Sequence, residues 1–205
     1  MTRAIGILAG AAMILLFATL MIVVMPTIQL QSARTVPEGL EPYSEAAARG
    51  REIYVGLGCV YCHSQQPRDA SLAPDGLRGW GRPSVPGDYS YDSPHLLGTM
   101  RTGPDLLNIG ARQPSVDWHL THLYNPRSLM PWSTMPSYPF LFRQVAEPSE
   151  ANVVVDLPAA YAPESGAIVA RQDALDLVQY LLELDRTYAV DELPSAEGAA
   201  GEGGS

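Results

Sequence analysis

Cys59-Val60-Tyr61-Cys62-His63 holds the only two cysteines of a 205-residue chain, two residues apart and followed at once by a histidine. That spacing is the attachment pattern of one c-type haem. Two thiols at this separation can form thioethers with the porphyrin vinyl groups, and the adjoining His63 then reaches the iron as its proximal ligand. A disulfide is the competing reading of two nearby cysteines in an oxidising compartment. The two-residue gap and the neighbouring imidazole favour haem, and with no third cysteine only one haem can be attached this way.

The amino end places that haem. Ala4 to Met25 is a run of 22 residues without a charge, which as a helix rises to roughly 33 Å and so crosses a bilayer. A cleavable signal is the alternative, but its apolar run is usually only about 7–15 residues and ends at a small-x-small site. Here the run is longer and Pro26-Thr27-Ile28-Gln29-Leu30-Gln31 follows, so residues 1–31 read as a retained anchor with its flank. Arg3 precedes the apolar run, which by the positive-inside preference leaves the amino end in the cytoplasm, with Arg34 on the far side as a weaker opposing signal. The expectation is a single-pass protein of the cytoplasmic membrane with the rest of the chain on the outer, periplasmic face.

The net charge is −9, and all 13 basic residues are Arg. Up to Phe142 ten arginines balance ten acidic residues, whereas 143–205 carries three against twelve. The part that carries the cysteines is thus near neutral, which argues against nucleic acid as a partner. About 140 residues beyond the anchor and linker suffice for one compact domain.

Residues 32–43, with Pro37, Gly39 and Pro42, read as a stiff, turn-rich linker. Ser44 can cap a helix through Glu45 to Val55, which Gly56-Leu57-Gly58 ends just before the cysteines. From Gln65 to Asp105 proline, glycine and aromatic residues recur without a period, predicting a long loop around the haem. Ser115 to Tyr124 reads as a short helix closed by Asn125-Pro126. Arg171 to Leu184 sets Leu175, Val178 and Leu182 on one face of an amphipathic helix. The compact domain is therefore 44–190, and the Gly-rich stretch 191–205 should be disordered.

A sixth iron ligand must come from downstream. Met100, Met130 and Met135 are the thioether candidates, and His95, His119 and His122 the nitrogen ones. Met135-Pro136 follows an extended, proline-rich stretch that can present a thioether, and Met130-Pro131 has the same local form. Met135 is the first choice and Met130 the second. Thioether ligation raises the reduction potential relative to two imidazoles, which suits a carrier late in a respiratory chain. Asp88 and Asp92 are possible oxygen ligands for a hard cation, although solvated or capping carboxylates are the commoner case.

Gly50-x-x-x-Tyr54, Cys59-x-x-Cys62-His63, Arg101-Thr102-Gly103-Pro104-Asp105-Leu106, Met135-Pro136 and the closing helix with Leu177-Val178-Gln179-Tyr180 together resemble a class I cytochrome c. The resemblance implies a mainly α fold with long loops behind a single N-terminal transmembrane helix. It implies that Gly50 lets the first and last domain helices cross closely, with Tyr54 and Tyr180 at the crossing. It also implies that the Pro104 carbonyl accepts a hydrogen bond from His63, and that Arg101 lies near a haem propionate.

A narrower resemblance rests on Gly87-Asp88-Tyr89-Ser90-Tyr91-Asp92-Ser93-Pro94, Trp118-His119-Leu120-Thr121-His122-Leu123-Tyr124-Asn125-Pro126-Arg127 and Met135-Pro136-Ser137-Tyr138-Pro139. These strings are similar to the mono-haem cytochrome c subunit, subunit II, of cbb3-type haem-copper oxidases, and the Met-Pro-x-Tyr-Pro string adds weight to Met135 over Met130. The resemblance covers the anchor and about Glu45 to Phe142. The acidic stretch to Gly166, with Val153-Val154-Val155, departs from it. The implied role is a relay, from a soluble cytochrome c or di-haem sister subunit to a haem-copper catalytic subunit that reduces dioxygen. The small subunit of a nitric oxide reductase and a free membrane-tethered shuttle are the alternatives.

Overall fold

One apolar helix opens the chain in a computed structural model that describes residues 2–33 and 35–190; the tail expected to be disordered lies outside the described residues. Helix α1 (Thr2–Thr19) passes through a π-helical turn at Leu20–Val24 into α2 (Met25–Ala33). Pro26 does not end the helix. Its ring presses on the turn before it and it has no N–H to give, and the wider π turn takes up that mismatch. The Thr27 hydroxyl donates to the Val23 carbonyl at 2.7 Å, adding a bond inside the affected turn. The 30-residue stretch Thr2–Gln31 is long and apolar enough to cross a membrane, with Arg3 its only charge and Ile7, Leu8 and Phe17 among its exposed side chains.

Beyond the helix the chain does not stand off as a spacer. Leu40 is buried, Gly39 turns with φ +93° against the Tyr188 side chain, and Gly87 lies so close to Thr35 and Pro37 that a Cβ there would meet them at 2.6 and 2.9 Å. The expected linker is therefore packed on the domain from Thr35 onward.

The domain is built on two crossed helices. Ser44 caps α3 (Glu45–Gly56), its hydroxyl accepting from Ala47 N at 3.1 Å. Helix α7 (Gln172–Glu183) buries Ala174, Leu177, Val178, Tyr180 and Leu181. The two meet at Gly50, where any Cβ would overlap the Asp176 carbonyl. Arg49 clamps the same turn through Asp176 at 2.7 and 3.1 Å, and Tyr43 and Tyr54 each pack a ring against Tyr180 with centroids 5.5 Å apart. Burying side chains such as Leu177 and Val178 contributes roughly 1.5–3 kcal/mol each.

Three further helices follow: α4 (Ile109–Arg112) and α5 (Val116–Tyr124) pack on α7, and α6 (Pro126–Leu129) packs on α5. Gly110 approaches α7 so closely that a Cβ would overlap the Leu182 carbonyl, and its N–H donates to Leu184 O at 2.9 Å. A small antiparallel sheet pairs β1 (Phe142–Val145) with β2 (Ala167–Ala170), in register from Phe142↔Ala170 to Val145↔Ala167. An isolated bridge joins Val154 to Val169. The fold is thus mainly α, with one small hairpin in the stretch that sequence patterns left unassigned.

The long loop between Gln65 and Asp105 has one 3₁₀ turn, Pro86–Tyr89, and is otherwise held by ion pairs. Asp88 accepts from Arg82 at 2.9 and 2.7 Å, from Val85 N at 2.8 Å and from the Tyr188 hydroxyl at 2.7 Å. Asp92 pairs with Arg51 at 3.1 Å. These two carboxylates, considered above as cation ligands, are each turned to an arginine, and no group of three or more His, Cys, Asp or Glu converges among the described residues.

Burial pushes the Asp88 carboxyl up, but the bonds from Arg82, Tyr188 and Val85 outweigh it and hold it below its ordinary value. Its contribution to stability is present above the ordinary carboxylate range and is lost as pH falls through the lowered value. Asp88→Asn is expected to cost about 3 kcal/mol near neutrality, the loss typical of breaking a buried pair. Urea unfolding of the full chain in detergent checks this, and the difference from the unsubstituted chain should begin to shrink below pH ~4, where the unfolded-state carboxyl gains its proton, and vanish once the native carboxyl is protonated too.

Candidate functional site

Gly58, with φ +75°, ends α3 and starts a 3₁₀ turn at Cys59–Tyr61. The Cys59 carbonyl accepts from both Cys62 N at 3.1 Å and His63 N at 3.0 Å, so one tight turn presents both thiols and the imidazole. Both cysteines are free, Cys59 partly buried and Cys62 exposed. Burial pushes the Cys59 thiol up to about 11.

His63 is held from behind. Its Nδ1 lies 2.7 Å from the Pro104 carbonyl oxygen. A carbonyl only accepts, so Nδ1 carries the hydrogen and Nε2 keeps a bare lone pair. Burial lowers the pKa of the ring against the opposing pull of the Pro104 bond, favouring the neutral form a metal requires. Gly103 makes this approach possible, since a Cβ there would run into the imidazole, and its N–H donates to Cys62 O at 2.9 Å. The segment after His63 is gripped on both sides, Gln65 N bonding to Leu97 O at 2.9 Å and Leu106 N to Ser64 O at 2.8 Å.

Asp105 fastens that segment. One oxygen accepts from the Ser64 hydroxyl at 2.6 Å and Gln66 N at 2.7 Å, and the other from Leu107 N at 2.9 Å. Burial nevertheless raises its pKa. Arg101 closes the same loop, donating to Asp75 at 2.7 Å, to the Gln66 carbonyl at 2.6 Å and to the Ser64 hydroxyl at 3.0 Å. Three of its five N–H groups are thus directed at the protein's own loop.

Arg112, which sequence reasoning passed over, also fastens this segment. It donates to the Asp105 carbonyl at 2.6 Å, its Nε is buried without a partner, and its charge acts on His63. Burial lowers its pKa. A signal was present in the sequence: Arg112 closes the one-turn helix that follows Gly103-Pro104-Asp105-Leu106, and Gly110 in that helix marks a close approach.

The candidates for the far side separate by burial. Met135 packs against the core, its N–H donating to the Ser133 hydroxyl at 3.2 Å. Met130 is 38% and Met100 58% exposed. Tyr138 N donates to Leu123 O at 2.9 Å, fixing the Met135–Tyr138 stretch to the end of α5, and Tyr138 and Cys59 both pack against the core. His119 Nε2 donates to Gln113 O at 2.9 Å, while His122 stacks flat on Trp118, 4.6 Å between centroids. His95 lies edge-on to Tyr89.

Paired thiols beside a histidine with a bare Nε2, a buried guanidinium with an open Nε and a thioether against the core form a donor set that fits haem. With the α3–α7 crossing and the single apolar N-terminal helix, they define the class: an anchored mono-haem cytochrome of mainly α fold.

Residues 1–172 match the family described as FixO, cytochrome C oxidase, mono-heme subunit, and the chain belongs to that family. Among curated proteins none matches the chain. Family membership makes haem the cofactor and a membrane-bound cytochrome c oxidase the assembly in which the chain serves electron transport.

Arg101→Gln is expected to destabilise the chain by about 3–5 kcal/mol, because it leaves the buried Asp75 carboxylate without its cation. Urea unfolding with and without haem measures it. Unchanged stability in the haem-free chain would remove Arg101 from the loop clasp.

Proposed function

We propose that this chain carries one haem c on Cys59 and Cys62 and hands electrons from a donor cytochrome c, or a di-haem sister subunit, to a haem-copper catalytic subunit that reduces dioxygen. The observation that carries the reading is His63, set directly after the cysteine pair with Nδ1 bonded to Pro104 and Nε2 bare. Haem supplies a one-electron couple when bound. His63 is then the proximal ligand, made a stronger donor by the Pro104 carbonyl. Met135 is the distal ligand, favoured over Met130 by its packing, and its thioether favours the reduced state. Arg112 is the better placed propionate partner, with Arg101 directed mainly to the loop.

The division into anchor 1–31, linker 32–43 and haem domain 44–190 follows, with the amino end in the cytoplasm and the domain outside. The linker acts less as a tether than as part of the domain: Thr35 and Pro37 lie against Gly87. A domain packed on the linker that follows its anchor suits a subunit fixed beside a partner better than a free shuttle.

In detergent, the purified full chain should hold one covalent haem and exchange one electron per chain while consuming no oxygen. Cys59→Ala with Cys62→Ala should abolish the covalent attachment, read as loss of the haem stain on a denaturing gel. Sustained cyanide-sensitive oxygen uptake by the chain alone would contradict the relay.

A further inference from the structure

Val153-Val154-Val155, which the haem assignment leaves unused, adds a short strand to the side of β2 away from β1. Ala170 N donates to Val153 O at 2.9 Å and Val155 N to Ile168 O at 2.8 Å, while β1 holds the other side of β2. Val154 stands opposite Val169 in this pairing. Backbone groups of successive residues on a strand alternate between its two edges, so the Val154 N–H and C=O point away from β2. Neither has a hydrogen-bond partner among the described residues. Val153 and Val154 are 37% and 42% exposed, and the triplet has none of the lysines, prolines or bulges with which natural proteins blunt an open edge.

A groove runs beside the same stretch. Two adjoining cavities of about 280 and 390 Å³ share Asp117, Asp156 and Leu157 in their walls. Trp118 and Leu129 line the first cavity, and Val154 lines the second. The Thr121 hydroxyl donates to the Asp156 carbonyl at 2.8 Å, tying α5 to the strand's continuation. Asp117 and Asp156 are both exposed, and neither has an ion-pair partner among the described residues. The groove thus has apolar walls, two unpaired carboxylates and an unpaired strand edge alongside.

We propose that the 153–155 edge and this groove dock an extended segment of another protein, apolar in its middle and flanked by Arg or Lys, which adds as a further strand. Its backbone pairs with the Val154 N–H and C=O and supplies affinity. Its apolar side chains enter the groove and its cations meet Asp117 and Asp156, which select the partner. Charge argues for this occupant over two others. The residues after Val190 offer Asp191, Glu192, Glu197 and Glu202 and no Arg, so the end of the chain is repelled from the carboxylates. A second copy paired edge to edge would bring a second Asp117 and Asp156 to the same groove.

The probe is a fluorescein-labelled peptide with Val-Leu-Val between pairs of arginines, titrated into the haem-loaded full chain in detergent and read by anisotropy. Binding in the micromolar range is expected, and the same peptide with glutamate for arginine should bind at least about tenfold more weakly. Val154→Pro removes the outward N–H at no cost in bonds to the folded chain, because proline is tolerated on edge strands. It should weaken binding at least about tenfold. Asp117→Asn combined with Asp156→Asn should weaken it by a similar factor and flatten its dependence on salt. With the peptide at about ten times its Kd, hydrogen exchange of the Val154 amide should slow about tenfold, and this readout carries the test alone if Val154→Pro retains no haem. No binding below about 1 mM, undiminished binding by Val154→Pro or by the glutamate peptide, or an unslowed Val154 amide would overturn the inference. Self-association of the chain that Val154→Pro abolishes would also overturn it, assigning the edge to a second copy.

Discussion

Backbone contact between α3 and α7 at Gly50 is the constraint on which the rest of the domain depends. With only a hydrogen at Gly50, the Asp176 carbonyl can enter the space that a side chain would fill. The turn with Cys59, Cys62 and His63 begins three residues past the end of α3, so its position is inherited from this crossing. From α7, Tyr180 exchanges hydrogen bonds with the Gln65 amide at 2.9 and 3.2 Å, and Leu184 receives Gly110. One helix therefore locates the chain after His63 and also the short helix that delivers Arg112.

Loops that carry a prosthetic group cannot rely on regular backbone pairing, and here buried carboxylates replace it. Asp75, Asp88 and Asp105 are each 0–1% exposed, and each joins an arginine or several backbone N–H groups from different parts of the loop. A buried carboxylate in this role costs desolvation, which its several donors offset. Asp105 shows the tension most clearly, since burial holds its pKa up although three donors favour its charge. The gain is geometric: Ser64, Gln66 and Leu107 are fixed together, and with them the Pro104 carbonyl that orients His63.

Much of this was legible in the sequence because the signals were local. Ser44 and Ser115 cap helices where their patterns predict, and the apolar period of 171–184 matches α7 to within a residue at each end. The one-turn helices α4 and α6 are too short to show a period. The β1–β2 hairpin was hidden because its strands are separated by 21 residues and pair only in the folded chain. The packed linker was equally unreadable, since Pro37 and Gly39 signal a turn but not the Tyr188 and Gly87 surfaces that receive it. Local pattern also does not tell which of Arg101 and Arg112 spends its N–H groups on the loop, or which of Met130 and Met135 packs on the core. Both are facts of tertiary structure.

The central claim, that the chain passes electrons into a terminal oxidase, is tested most directly by extracting the intact complex from membranes with this chain as bait. Its haem and metal content is then measured. The account predicts one c-type haem per copy of this chain, beyond any carried by a di-haem subunit, together with b-type haem, copper and cyanide-sensitive oxygen uptake. A chain that comes out alone with its own haem, or with non-haem iron in place of copper, would contradict it.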